Sequence, residues 1–128
     1  MKVLKKEEIL SKGKNLLEQI GYDPIECIST DIETGEAYNG LAYTLFDDGN
    51  IESYSYYVDG EEDIQSVEFY YNGKLKSYCE FKDGLIDGEM IQWAENGQMI
   101  YYGKYENDEI KSLKKWDENG ELLEEKSI

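Results

Sequence analysis

The sequence contains no histidine. Reading along it finds no arginine either, so its thirteen cations are all lysine. Without histidine there is no Ser-His or Cys-His nucleophile pair and no imidazole metal site. Glycine-rich phosphate loops of the Walker or dinucleotide type are also missing. Cys27 and Cys79 stand alone without metal-type spacing, and read as free buried thiols in a reducing cytoplasm, with one disulfide between them as the alternative. There is no long apolar run. Met1 to Gly21 carries Lys and Glu throughout, so neither a membrane span nor a secretory signal is expected.

What is abundant is negative charge: 29 Asp and Glu against 13 Lys, a formal net charge of −16 over 128 residues. Such a field repels nucleic acid and anionic membranes and speeds encounter with basic partners. It also keeps a chain soluble. Carboxylate pairs for acid–base chemistry arise by chance in so acidic a sequence. The clusters Asp47-Asp48, Glu61-Glu62-Asp63 and Asp83…Asp87 fall mostly at turns, where they read as solvated loop residues. No loop has the spacing of a twelve-residue calcium site. The expectation is a protein that is not an enzyme and has no cofactor and no metal.

The informative feature is internal repetition. Asp48-Gly49, Asn72-Gly73, Asn96-Gly97 and Asn119-Gly120 recur at spacings of about 24 residues. Eleven residues after the first three come Asp59-Gly60, Asp83-Gly84 and Asn107-Asp108. These dipeptides suit tight hairpin turns, whose central positions need positive φ. The fold expected is mainly β: an antiparallel meander of repeated β-hairpins, about 24 residues per repeat, with one N-terminal α-helix.

Counting from each first-type glycine, large apolar residues fall at even offsets. Ile51, Leu75, Met99 and Leu122 lie two after; Tyr57, Phe81 and Tyr105 lie eight after. Leu45, Phe69, Trp93 and Trp116 lie four before, and Tyr43, Val67 and Ile91 lie six before. Strands alternate faces with period two, so all of these are expected on one inner face, with small residues such as Ser53, Ser55, Ser77, Cys79 and Gly103 between them. The odd offsets then form an outer face, where position five is tyrosine after each of the first three glycines. Tyr54, Tyr78 and Tyr102 would make a ladder across the strands. That ladder reads either as cross-strand packing or as an exposed recognition surface.

Residues 1–30 break the period. Ile9, Leu10, Leu16, Leu17 and Ile20 fall in one stripe of a helical wheel, and Gly21 and Pro24 supply a stop. One helix over about residues 5–20 is expected to pack on the apolar face or over an end of the sheet. Ile25 to Gly40 reads as a degenerate first repeat with Thr34-Gly35 as its turn. One domain is expected over 1–128, with 1–24 as helix and linker and 25–128 as the hairpin repeats.

The run from Phe69 through Asn72-Gly73 and Leu75, then Glu80-Phe81 to Asp83-Gly84, Asp87-Gly88-Glu89, and Trp93 through Asn96-Gly97 to Met99, resembles the variant MORN repeat. It is similar to the bacterial YwqK-type antitoxins, which include immunity proteins of polymorphic and contact-dependent toxin systems. The resemblance covers about residues 36–126. It implies a protein that binds a cognate toxin and blocks it, the alternative being a structural or scaffolding repeat protein. The acidity suits a basic toxin, a nuclease above all, whose groove must be positive to hold phosphates. The surface expected to bind combines Tyr54, Tyr78 and Tyr102 with Tyr56 and Tyr71, and the turn carboxylates Asp47, Asp48, Asp59, Glu61, Glu62 and Asp83. The resemblance names none of these residues. Nucleic acid and membrane are not expected as partners. The free protein would be a monomer or, through its sheet edges, a dimer.

Overall fold

The computed structural model describes residues 1–128. Eight consecutive antiparallel strands form the body: β4 (Gly40–Leu45), β5 (Ile51–Val58), β6 (Glu61–Phe69), β7 (Leu75–Lys82), β8 (Leu85–Trp93), β9 (Met99–Glu106), β10 (Glu109–Trp116) and β11 (Leu122–Ser127). The meander expected from the turn spacing is therefore the fold.

Both kinds of turn repeat their geometry. In each first-type turn the glycine lies in the left-handed region, and its N–H donates to a carbonyl three residues back, as Gly49 does to Phe46 at 3.0 Å and Gly73 to Tyr70 at 2.9 Å. The second-type turns have two central residues at positive φ, as a type I′ hairpin requires: Asp59 and Gly60, Asp83 and Gly84, Asn107 and Asp108. Asp108 takes the position that glycine holds in the other two, which a short polar side chain tolerates.

The face assignment needs correction. After every first-type turn the register slips by one residue. Leu45 pairs with Ile51 but Thr44 with Ser53, Phe69 with Leu75 but Glu68 with Ser77, and Trp93 with Met99 but Gln92 with Tyr101. The same slip separates Trp116–Leu122 from Lys115–Glu124. Each is a β-bulge, at Glu52, Lys76, Ile100 and Leu123, and each reverses the alternation beyond it. Offset two therefore shares a face with offset five. Ile51, Tyr54, Val67, Tyr78 and Ile91 are all buried in one apolar cluster, with Phe69, Leu75, Trp93, Met99 and Tyr102 packed against it. Ser53, Ser55, Tyr57, Ser77, Cys79, Phe81, Gly103 and Tyr105 turn to the opposite face. Leu75 and Trp93 thus lie on one side of the sheet and Phe81 and Tyr105 on the other. The repeat survives this because the bulge recurs at the same place each time.

The N-terminal region also departs from one long helix. It gives α1 (Lys6–Lys12), β1 (Lys14–Asn15) and α2 (Leu16–Gln19). The break is at Gly13, whose backbone is extended. A Cβ there would lie 2.9 Å from both the Ile9 carbonyl oxygen and a Tyr43 ring carbon, so only glycine fits at this close approach. β1 then pairs in parallel with β4, closing that sheet edge, and the Asn15 side chain caps α2 by accepting from the Leu17 N–H at 3.0 Å. The region expected as a degenerate repeat instead forms a separate hairpin, β2 (Ile20–Asp23) with β3 (Ile28–Asp31). Residues 1–12 cover the apolar face through Val3, Leu4 and the buried Ile9. The opposite face is covered beside β4 and β5, where Leu16 and Tyr57 pack on the cluster of Ile20, Tyr38 and Ala42.

Candidate interaction surfaces

The tyrosine ladder exists, but it faces inward. Tyr54 and Tyr78 are 1% and 2% exposed, and Tyr102 is half-buried. Each hydroxyl has a polar partner, as a buried phenol requires. Tyr54 donates to Gln65 Oε1 at 2.5 Å and accepts from the Leu4 N–H at 3.0 Å. Tyr78 donates to Glu80 at 3.0 Å, and Tyr102 donates to Glu89. Burial, then the bond to Glu80, pushes the Tyr78 hydroxyl pKa well above its ordinary value. The bond to Glu89, then burial, pushes that of Tyr102 up to about 12. The packing reading of the ladder therefore holds for Tyr54 and Tyr78, and the exposed-surface reading is overturned for them. Tyr56 packs against the same core. The signal that could have revealed this was in the sequence. Offsets four and six, on the supposed inner face, hold mostly small residues, while offset five is tyrosine after the first three glycines.

The other expected binding residues divide between two ends of the sheet, separated by strands of eight residues, on the order of 26 Å. At one end, Tyr71 donates its hydroxyl to Asp47 at 2.9 Å and packs against Phe46 with ring centroids 5.1 Å apart and planes tilted by 60°, while Asp48 closes its own turn by accepting from the Asn50 N–H. A cleft of about 270 Å³ opens beside them between α1 and the turns, lined in part by Leu4, Ile9, Phe69 and Tyr71. At the other end, Asp59, Glu61 and Asp83 lie exposed at the type I′ turns, and Glu61, Glu62 and Asp83 border one shallow depression with Tyr57.

Glu62 links that depression to a groove of about 300 Å³ on the less covered face. Its floor is small and polar: Ser53 is 2.6 Å from Thr44 Oγ1, and Ser55 is 2.8 Å from Ser66, oxygen to oxygen. Glu52, Glu62 and Glu68 stand over it, walled by Phe46 and Leu16. Burial, and secondarily the neighbouring Glu68 charge, raises the Glu62 pKa. Cys79 lies on this face as a free thiol, pushed up to about 11 by burial and Glu62, so it is protonated and unreactive at neutral pH. Cys27 is also free, but exposed rather than buried as expected. No group of three or more Cys, Asp or Glu is arranged to hold a metal ion. No helix is long and apolar enough to cross a membrane.

The family model described as "MORN repeat variant" matches residues 62–83 and 86–107. Two hairpins of the chain are thus similar to the MORN repeat variant. The first spans β6, its Asn72-Gly73 turn and β7; the second spans β8, its Asn96-Gly97 turn and β9. Outside the matched residues the same turn and bulge recur between β4 and β5 and between β10 and β11. Comparison with curated proteins and with solved structures gives no match. In the two matched hairpins the tyrosine at offset five packs inward, and what the surface exposes is carboxylate-rich turns, the serine-floored groove and the less covered stretches of the sheet.

Proposed function

We propose that this MORN-repeat protein is an immunity protein that binds a cognate basic toxin and neutralises it by occluding its functional surface. The observation that carries this reading is where the lysines sit. All five ion pairs fall near the two ends of the chain: Lys12–Glu8, Lys14–Asp31, Lys111–Glu109, Lys114–Glu125 and Lys115–Glu124. Between Glu33 and Glu106 the sequence holds sixteen carboxylates and four lysines, and none of them forms an ion pair. The repeats therefore present net negative charge on both turn rows and over the groove, where Lys76 is the one cation beside three glutamates. A nuclease must carry the complementary positive groove to hold phosphates, and a polyanionic protein surface competes for it. In this reading the protein acts by occupancy in the cytoplasm, with no chemical step, and both nucleic acid and anionic membranes are repelled.

The test is to mix the protein with the product of the neighbouring reading frame. A stoichiometric complex is expected at micromolar concentration in low salt, with an association rate that falls steeply as salt rises. No complex, or an association rate indifferent to salt, overturns the reading. A scaffolding role is the second reading, favoured by the open sheet and by apolar residues left half-exposed along it. A cell that tolerates loss of this gene when the neighbouring protein is produced would favour it.

A further inference from the structure

The apolar face is covered along only part of its length. The hydrogen bonds that residues 2–12 make to the sheet reach no further than Gln65 in β6. Beyond, the same repeat positions continue with the same kinds of side chain. Tyr78 of β7 and Ile91 of β8 are still buried there, at 2% and 5% exposed, but Leu75, Trp93, Met99, Tyr102 and Trp116 are each only half-buried, and Leu122 is 52% exposed. The chain itself shows how such a row is covered. Over the first repeats a short segment lies across the strands, with Val3, Leu4 and Ile9 against the apolar residues. Its backbone is held by two polar groups: the Tyr54 hydroxyl takes the Leu4 N–H, and Gln65 Nε2 donates to the Lys2 carbonyl at 2.9 Å.

One repeat on, Tyr54 is matched by Tyr78 and Gln65 by Glu89. The exchange of an amide for a carboxylate changes what can be held there. Gln65 offers a donor, whereas Glu89 offers only acceptors. Glu80 lies beside it, taking the Tyr78 hydroxyl and the Glu89 N–H at 2.8 Å. Lys104 stands across the strands from Glu89 but forms no ion pair with it. The less covered part thus joins an apolar row to two carboxylates lacking a cation.

We propose that the less covered part of the apolar face docks an amphipathic, lysine- or arginine-bearing segment of a basic partner protein, laid over β8–β11 beside the already buried Tyr78 and Ile91, much as residues 2–10 lie across β4–β6. Apolar side chains of that segment cover Trp93, Met99 and Trp116, and a cation meets Glu80 and Glu89. This deepens the immunity reading by naming the surface engaged, and rests on that reading only for the identity of the partner.

The two tryptophans of the chain both lie on this row, so their emission reports the contact directly. The probes are a short lysine–leucine amphipathic peptide and its glutamate–leucine counterpart. The first is expected to give a saturable blue shift of the tryptophan emission, the second none. Glu80→Gln with Glu89→Gln should weaken binding of the first by about tenfold. The matching pair Glu52→Gln with Glu68→Gln, on the opposite face, should change it by less than about twofold. Glutamine already occupies the position of Glu89 one repeat earlier, so the first pair keeps the fold; an unchanged thermal midpoint checks this. Binding without a tryptophan shift, or equal weakening by both pairs, overturns the proposal. A blue shift that grows with protein concentration alone, with dimers in sedimentation, gives the face to a second copy and also overturns it. A toxin complex that leaves the tryptophans unshielded from acrylamide, and binds the Glu80/Glu89 variant normally, sinks this docking site while leaving neutralisation standing. Peptide binding as described, without any toxin complex, does the reverse.

Discussion

Ile64 lies at φ +66°, at the repeat position that Gly40 and Gly88 fill with φ of +133° and +109°. A β-branched residue in that region carries roughly 1–2 kcal/mol of strain. Its side chain is 54% exposed, so glycine there loses on the order of 1 kcal/mol of burial and somewhat less in backbone entropy. The terms nearly cancel. Ile64→Gly is therefore expected to lie within about 1 kcal/mol of wild type in urea unfolding, whereas Ile91→Gly, at a position 5% exposed, should cost about 4 kcal/mol. Similar costs at the two positions would mean that the Ile64 backbone is not strained. The tyrosines differ by the same kind of reasoning. Tyr54→Phe strands the Leu4 N–H and Gln65 Oε1 in the core and should cost about 1–3 kcal/mol. Tyr102→Phe leaves Glu89 able to turn to solvent, and should cost less than about 1 kcal/mol by the same measurement.

At the scale of elements, the turns were legible and the bulges were not. Asn-Gly and Asp-Gly declare positive φ through their own chemistry, so all the strands from β4 to β11 could be placed from the dipeptides alone. A bulge after the turn is set by how the turn's twist meets the ladder, and no residue type marks it: Glu52, Lys76, Ile100 and Leu123 share nothing. One unmarked residue per hairpin was enough to send the tyrosine ladder to the wrong face. The candidate site was correspondingly half legible. The carboxylates lie on or beside turns as expected, while Tyr54, Tyr56 and Tyr78 belong to the core. The N-terminal stripe failed for another reason: tertiary pairing of β1 with β4 outweighed helical periodicity at Gly13. Of that stripe, Ile9 is 1% exposed and Leu17 81%. Ile9→Ala should therefore cost about 2–4 kcal/mol and Leu17→Ala less than about 0.5 kcal/mol in thermal or urea unfolding. Comparable effects would restore the continuous helix.

At the scale of the whole molecule, the accessible surface is 7901 Å², against about 7,000 Å² for a compact monomer of 14.9 kDa. Fourteen of 128 residues are buried. A sheet so extended has a modest core to set against its own charge, and sixteen net negative charges repel one another across it. Salt acts on both sides of this balance. It screens the repulsion, and it weakens the five ion pairs. Four of those pairs are well exposed and worth about 0–1 kcal/mol each, and only Lys14–Asp31, at 2.5 Å, is partly buried. The repulsion involves every carboxylate, including Glu62, whose ionisation burial already disfavours. Screening should therefore win. Raising sodium chloride from about 10 mM to about 0.5 M shortens the screening length from roughly 30 Å to a few ångströms, and should raise the thermal midpoint by about 5 °C. Chloride rather than sulfate keeps the effect electrostatic, since sulfate strengthens burial on its own account. A midpoint that falls as chloride is added would mean that the few ion pairs at the ends of the chain, not the crowd of carboxylates between them, govern its electrostatics. The case for a basic partner would then lose its physical ground.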